Sequence, residues 1–167
     1  MKKLLLCLSL LWLMVSMAGC KDEVAKVGEP APPLTVLTLS GDTFSDNVWK
    51  PGQYTYLNFW SLSCAPCMVE LSHLEELSRE FSGRVRIVSV NVRQETPPVF
   101  ASLPRLAQAY TILYDPLGIT AEQYLVMATP SSYIIDDKGV VRQSHVGMRT
   151  MEELKMLFEQ MAQKELS

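Results

Sequence analysis

Residues 58–67 read Asn58-Phe59-Trp60-Ser61-Leu62-Ser63-Cys64-Ala65-Pro66-Cys67. Upstream, the run YTYLNFW over 54–60 is rich in aromatic and apolar residues and predicts a buried central strand. Downstream, Leu71, Leu74, Leu77 and Phe81 repeat at helical spacing, with His73, Glu76, Arg79 and Glu80 largely off that stripe. This predicts an amphipathic helix over 65–81, ended by Gly83. The two cysteines therefore sit where a buried strand hands over to a helix. At a helix N-terminus, unpaired N–H groups and the positive dipole end favour a thiolate, which suits Cys64. Cys67 returns to the same side one turn later and can close a small ring. The first sulfur is then the nucleophile and the second resolves the mixed disulfide. Pro66 fits the first turn, where its missing N–H would be unpaired anyway.

Two other uses of the spacing are weaker. Half of a zinc site would need a second Cys pair, and neither His73 nor His145 lies in a His/Cys cluster with zinc spacing. A structural disulfide closing so small a ring adds little loop-closure stabilisation.

Further strands are predicted at 36–39, 85–92, 132–136 and 140–146. Ser40-Gly41-Asp42 leads to a short return at Thr43-Phe44, so an N-terminal β-hairpin precedes the Pro51-Gly52 turn. Asp137-Lys138-Gly139 joins the last two strands as a hairpin. Thr96-Pro97 opens a helix that Pro104 interrupts, and 119–126 reads as a short helix. The final helix starts at Met151, with Thr150 as cap, Glu153 three residues on, and a buried face of Met151, Leu154, Leu157, Phe158 and Met161. Strand, helix, strand, helix, hairpin and closing helix is an α/β order.

The first twenty residues are an address rather than a fold. Lys2 and Lys3 precede an apolar run over 4–15 broken only by Ser9, and Ala18-Gly19-Cys20 follows. Twelve residues reach roughly 18 Å as a helix, short of the ~30 Å hydrocarbon core, so the run suits a signal peptide. Small residues ending on Cys resemble the bacterial lipoprotein signal, with Met17 where Leu is commonest. That resemblance implies cleavage after Gly19 and a lipid on Cys20. The organisation expected is a signal peptide over 1–19, a tether over 20–28 and one domain over 29–167.

The whole chain of 167 residues carries 15 Lys and Arg against 18 Asp and Glu, a net charge of −3. Removal of Lys2 and Lys3 with the signal leaves 13 against 18, or −5, and no basic surplus for nucleic acid. Eight Gly, ten Pro and four Cys exclude collagen-like and disulfide-stapled miniprotein classes. An exported domain works where disulfides persist.

The stretch 58–67 resembles the active site of exported thioredoxin-like proteins, of the membrane-tethered TlpA/ResA type. The likeness runs from Val27-Gly28-Glu29-Pro30-Ala31-Pro32 to the final helix. It implies a thioredoxin fold, a central mixed sheet with helices on both faces, and disulfide reduction, in some members of apocytochrome c before haem attachment. Ala128-Thr129-Pro130 matches the family's cis-proline loop, which implies that Thr129 and Pro130 bind substrate backbone beside the cysteines; Trp60 is expected in the core or the site wall, there with a share in substrate binding. Glu70 matches an active-site Glu of the ResA type and is expected to take the proton of Cys67, its alternative being a solvated helix charge. Asn58 stands where ordinary thioredoxins have a buried Asp. Ser63 replaces the usual Trp and is an alternative helix cap, and Ser131 follows the proline where Thr is common.

No cofactor and no metal are expected from the residues. The partners the resemblance implies are protein thiols and disulfides, a transmembrane thiol-type electron donor, and a membrane through Cys20. Two rival functions are a thiol peroxidase and an exported copper-binding module. The first has Ser61 three residues before Cys64 but Leu57 where peroxidases carry Pro. The second expects C-x-x-x-C with a distant His, against C-x-x-C here with His145 unplaced.

Overall fold

The computed structural model describes residues 24–44, 49, 51–92 and 108–166. The signal segment, Cys20, and the helix expected from Thr96 with its Pro104 break lie outside them.

The central strand β2 (Tyr54–Trp60) is buried along its whole length, as its unbroken apolar and aromatic run requires. Around it form β1 (Leu37–Thr38), β3 (Val85–Asn91), β4 (Thr111–Tyr114), β5 (Ser131–Ile135) and β6 (Val141–Val146), in the sheet order β1-β4-β3-β2-β5-β6. β2, β3 and β4 run parallel, in register Tyr54↔Val85 and Val88↔Thr111. β1, β5 and β6 pair antiparallel to their neighbours. Three helices are described: α1 (Ala65–Glu80), α2 (Ile119–Gln123) and α3 (Met151–Gln163).

Alternation along β2 divides the core. Tyr54, Tyr56 and Trp60 face Leu71, Leu74 and Leu77 of α1 and Leu154, Leu157, Phe158 and Met161 of α3. Leu57 and Phe59 face the other way, toward Ala25, Val36, Tyr124 and Tyr133. This mixed sheet with a helical layer on one face, and α2 with the N-terminal segment on the other, is the thioredoxin-type α/β fold expected. α3 carries the expected capping box: Thr150 Oγ1 accepts from Glu153 N at 3.2 Å, and Glu153 Oε2 accepts from Thr150 N at 2.7 Å.

Several boundaries differ from the sequence reading. β4 was not anticipated; four residues are too few for alternation to identify. β5 ends at Ile135 because Asp136 turns to the hairpin, its Oδ1 accepting from Lys138 N at 2.9 Å and Val140 N at 2.8 Å. α2 stops at Gln123, two residues before Leu125, which takes a left-handed φ of 50°. The N-terminal hairpin shrinks to β1 and a single bridge, Leu37↔Thr43. Part of the expected tether belongs to the fold: Ala25 is buried, its N–H donating to Gln123 O at 2.8 Å, and Gly28 N donates to Val141 O at 2.8 Å. Among the described residues no helix is long and apolar enough to cross a membrane.

Candidate active site

β2 ends at Trp60, and four residues later Cys64 occupies the N-cap of α1 in extended backbone, φ −95° and ψ 98°. Its Sγ accepts from Cys67 N at 3.2 Å, the place a Ser or Asp oxygen takes in an ordinary cap. Ser63 is therefore not the cap; it is exposed, with its Oγ 3.4 Å from Ser61 Oγ. Cys64 and Cys67 are joined as a disulfide with Cα atoms 5.2 Å apart. The two sulfurs are unequal: Cys64 is half-buried, whereas Cys67 is 1% exposed. The N–H that meets Cys64 Sγ is also a donor to the thiolate formed on reduction.

The Thr129–Pro130 peptide is cis, and the Thr129 carbonyl oxygen lies 3.4 Å from Cys64 Sγ. Pro130 is buried, and its carbonyl accepts from Gly147 N at 2.8 Å. Ser131 Oγ donates to Ala128 O at 2.7 Å, closing the same loop. The cis-proline loop thus lies against the reactive sulfur. Trp60 does not share that surface. It is 0% exposed, in the core between sheet and helices.

Glu70 is 1% exposed, one turn beyond Cys67 on the same helical face, so it is no solvated helix charge. Its Oε1 accepts from the Tyr56 hydroxyl at 3.0 Å and from Asn58 Nδ2 at 2.7 Å, and its Oε2 accepts from Arg149 N at 2.9 Å. Burial pushes the Glu70 carboxyl above the ordinary carboxylate range; the Arg149 N–H, the Tyr56 hydroxyl and the Asn58 amide oppose that push without cancelling it. Asn58, which stands where ordinary thioredoxins have a buried Asp, donates to this carboxylate. Tyr56 and Arg149 were not anticipated at the site. The available signal was Tyr56 and Asn58 two residues apart on one face of a buried strand, where polar groups need partners.

The profile of the AhpC/TSA family matches residues 27–144. The chain belongs to the AhpC/TSA family. Within that range this AhpC/TSA chain carries both cysteines, Glu70 and the cis-proline loop. It is 33% identical over 147 residues to the thioredoxin-like protein YneN of Bacillus subtilis, covering 86% of this chain and 85% of that one. It is 28% identical to the thiol-disulfide oxidoreductase ResA of Bacillus thuringiensis, over 81% of this chain and 78% of the relative. Among solved structures, StoA from Bacillus subtilis superposes with a TM-score of 0.61 at 27% identity, over 76% of this chain and 98% of that one.

The two histidines of the AhpC/TSA domain lie on other elements or faces of the fold. His73 is half-buried on α1. His145 lies on β6 opposite Ser132, and burial followed by the Arg149 charge holds its imidazole below the usual range. Among the described residues no group of three or more His, Cys, Asp or Glu is arranged to hold a metal ion. Leu57, the position a peroxidase fills with Pro, faces the opposite core from α1.

Proposed function

We propose that this AhpC/TSA chain is an exported, lipid-anchored thiol–disulfide oxidoreductase that reduces protein disulfides through Cys64 and Cys67. The observation carrying the reading is the asymmetric pair: a reachable sulfur at a helix N-terminus, joined to a buried one that a buried carboxylate follows by one turn. In the reduced protein, Cys64 thiolate attacks a substrate sulfur. The substrate S–S bond breaks, a Cys64–substrate disulfide forms, and the first substrate thiolate leaves and is protonated by solvent. Cys67 then gives its proton to Glu70 and attacks Cys64 Sγ, releasing the second substrate thiolate. Two electrons pass from the pair to the substrate, and a transmembrane thiol-type donor returns them. Thr129 and Pro130 hold the substrate backbone beside Cys64.

The likeness to the ResA type supports apocytochrome c disulfides as the substrate class. With a signal over 1–19 and a lipid on Cys20, the domain works outside the cytoplasm, on the periplasmic or exterior side of the membrane. Loss of radiolabelled fatty acid in Cys20→Ala checks the anchor.

The reduction potential of Cys64–Cys67 tests the direction. A value near the thioredoxin range, about −270 mV, is expected of a reductase. A value near about −120 mV makes the protein a disulfide donor and overturns the proposal.

A further inference from the structure

Glu70 is bonded unevenly. Among the described residues, Oε1 receives two donors, the Tyr56 hydroxyl at 3.0 Å and Asn58 Nδ2 at 2.7 Å, and Oε2 receives one, Arg149 N at 2.9 Å. A carboxylate oxygen accepts about two hydrogen bonds, so Oε1 is full and, among the described residues, Oε2 has one acceptor position open. A proton arriving at Glu70 is therefore directed to Oε2 unless a donor on Oε1 is removed.

We propose that Tyr56 is a positioning residue, which by occupying Oε1 directs the proton leaving Cys67 to Oε2 and sets the pH at which Glu70 accepts it. The inference rests on the reading of Glu70 as the acceptor for Cys67. Tyr56 is suited to the task because it is 0% exposed and fixed on both sides. Its strand lies at the centre of the sheet, and its ring packs against Phe158 of α3 with centroids 5.3 Å apart. Burial and the Glu70 charge keep its hydroxyl protonated, so it remains a donor throughout the working range. Among the described residues, four titratable or charged groups surround Glu70. Cys67 lies on α1, Tyr56 on β2, Arg149 between β6 and α3, and Tyr110 precedes β4, its acidity shifted in part by Glu70. Arg149 contributes a backbone N–H and a favourable charge; Tyr56 contributes the hydroxyl whose removal leaves the shape intact.

The test follows the reduced protein with a chromogenic aromatic disulfide across pH. Attack by Cys64 gives the first release of chromophore, and resolution by Cys67 gives the second. In the wild type the second phase accelerates as Glu70 ionises. Tyr56→Phe removes one donor to the carboxylate and is expected to move the midpoint of that phase upward by about 1 pH unit. Glu70→Gln is expected to abolish the midpoint, and adding Tyr56→Phe to it to change nothing further. A midpoint unmoved in Tyr56→Phe but lost in Glu70→Gln overturns the role of Tyr56 alone. A midpoint that survives Glu70→Gln overturns the role of Glu70 and that of Tyr56 with it. The first phase reports a misfolded site, since a structural defect slows both phases without moving a midpoint.

Discussion

Asn58 Nδ2 donates to Glu70 Oε1 across 2.7 Å, fastening the middle of the central strand to the second turn of α1. The contact joins residues 12 apart in sequence, and both side chains are 1% exposed. An amide there donates to a carboxylate without adding a second charge.

Asn58→Asp is expected to show why. Two carboxylates in one buried site cannot both ionise, so one is forced to keep a proton. The variant is expected to fold nearly as well as wild type at pH 4 and to lose about 2 kcal/mol or more relative to it at pH 8. Urea unfolding at the two pH values measures the gap, and equal losses at both would exclude charge repulsion as the cause.

Glu70 also predicts how the native protein responds to pH. Its folded carboxyl is raised, chiefly by burial, above the ordinary 4.5, so the native state holds the proton more tightly than the unfolded chain. The associated stability is fully present below about pH 4.5 and is lost as pH rises through the raised value, by at most about 1.4 kcal/mol per pH unit. Asp115, raised by burial, adds a slope of the same sign. Asp136 does the opposite: burial resists, but the Val140 N–H and the Arg142 guanidinium hold its carboxyl low, so its stability is lost only as pH falls through that lowered value. Glu70→Gln is expected to flatten the falling part of the curve. An unchanged curve in denaturant titrations between pH 4 and 9 would show that Glu70 does not titrate on unfolding.

Cys67→Ser is expected to accumulate a mixed disulfide between Cys64 and its substrate, because no second sulfur remains to release it. Intact-mass analysis after exposure to a disulfide-bearing peptide reads the adduct. Cys64→Ser should form little of it, since Cys67 is 1% exposed. Equal adducts in both variants would contradict the assigned order of attack.

Gly147 holds the turn between β6 and α3 at φ +106° while its N–H meets the Pro130 carbonyl. L-residues rarely adopt that conformation, so Gly147→Ala is expected to lose about 1–2 kcal/mol of stability. Chemical denaturation measures it, and a neutral result would mean that the turn relaxes without the hydrogen bond.

The parts that could be read from sequence were those with a period or a motif. α1 and α3 show helical stripes, β2 an unbroken buried run, and the C-x-x-C lies at their junction. β4 escaped because Thr-Ile-Leu-Tyr is defined by its partner β3, not by its own pattern. Glu70 was placed by its distance from Cys67, but its environment was not. Its donors come from 14, 12 and 79 residues away, and only the folded sheet brings Tyr56, Asn58 and Arg149 to one carboxylate.

The unequal exposure of the two sulfurs affects how the redox state is counted. Cys67 is covered in the disulfide form, so in the native reduced protein an alkylating reagent is expected to meet Cys64 first. Native labelling is therefore expected to record one modification where two thiols exist, so a half-labelled sample does not by itself mean half-oxidised protein. Once Cys64 is capped, the pair cannot close again, so the label itself arrests turnover. Quenching in acid, followed by labelling after denaturation, is the procedure that returns the true occupancy of this disulfide in the cell.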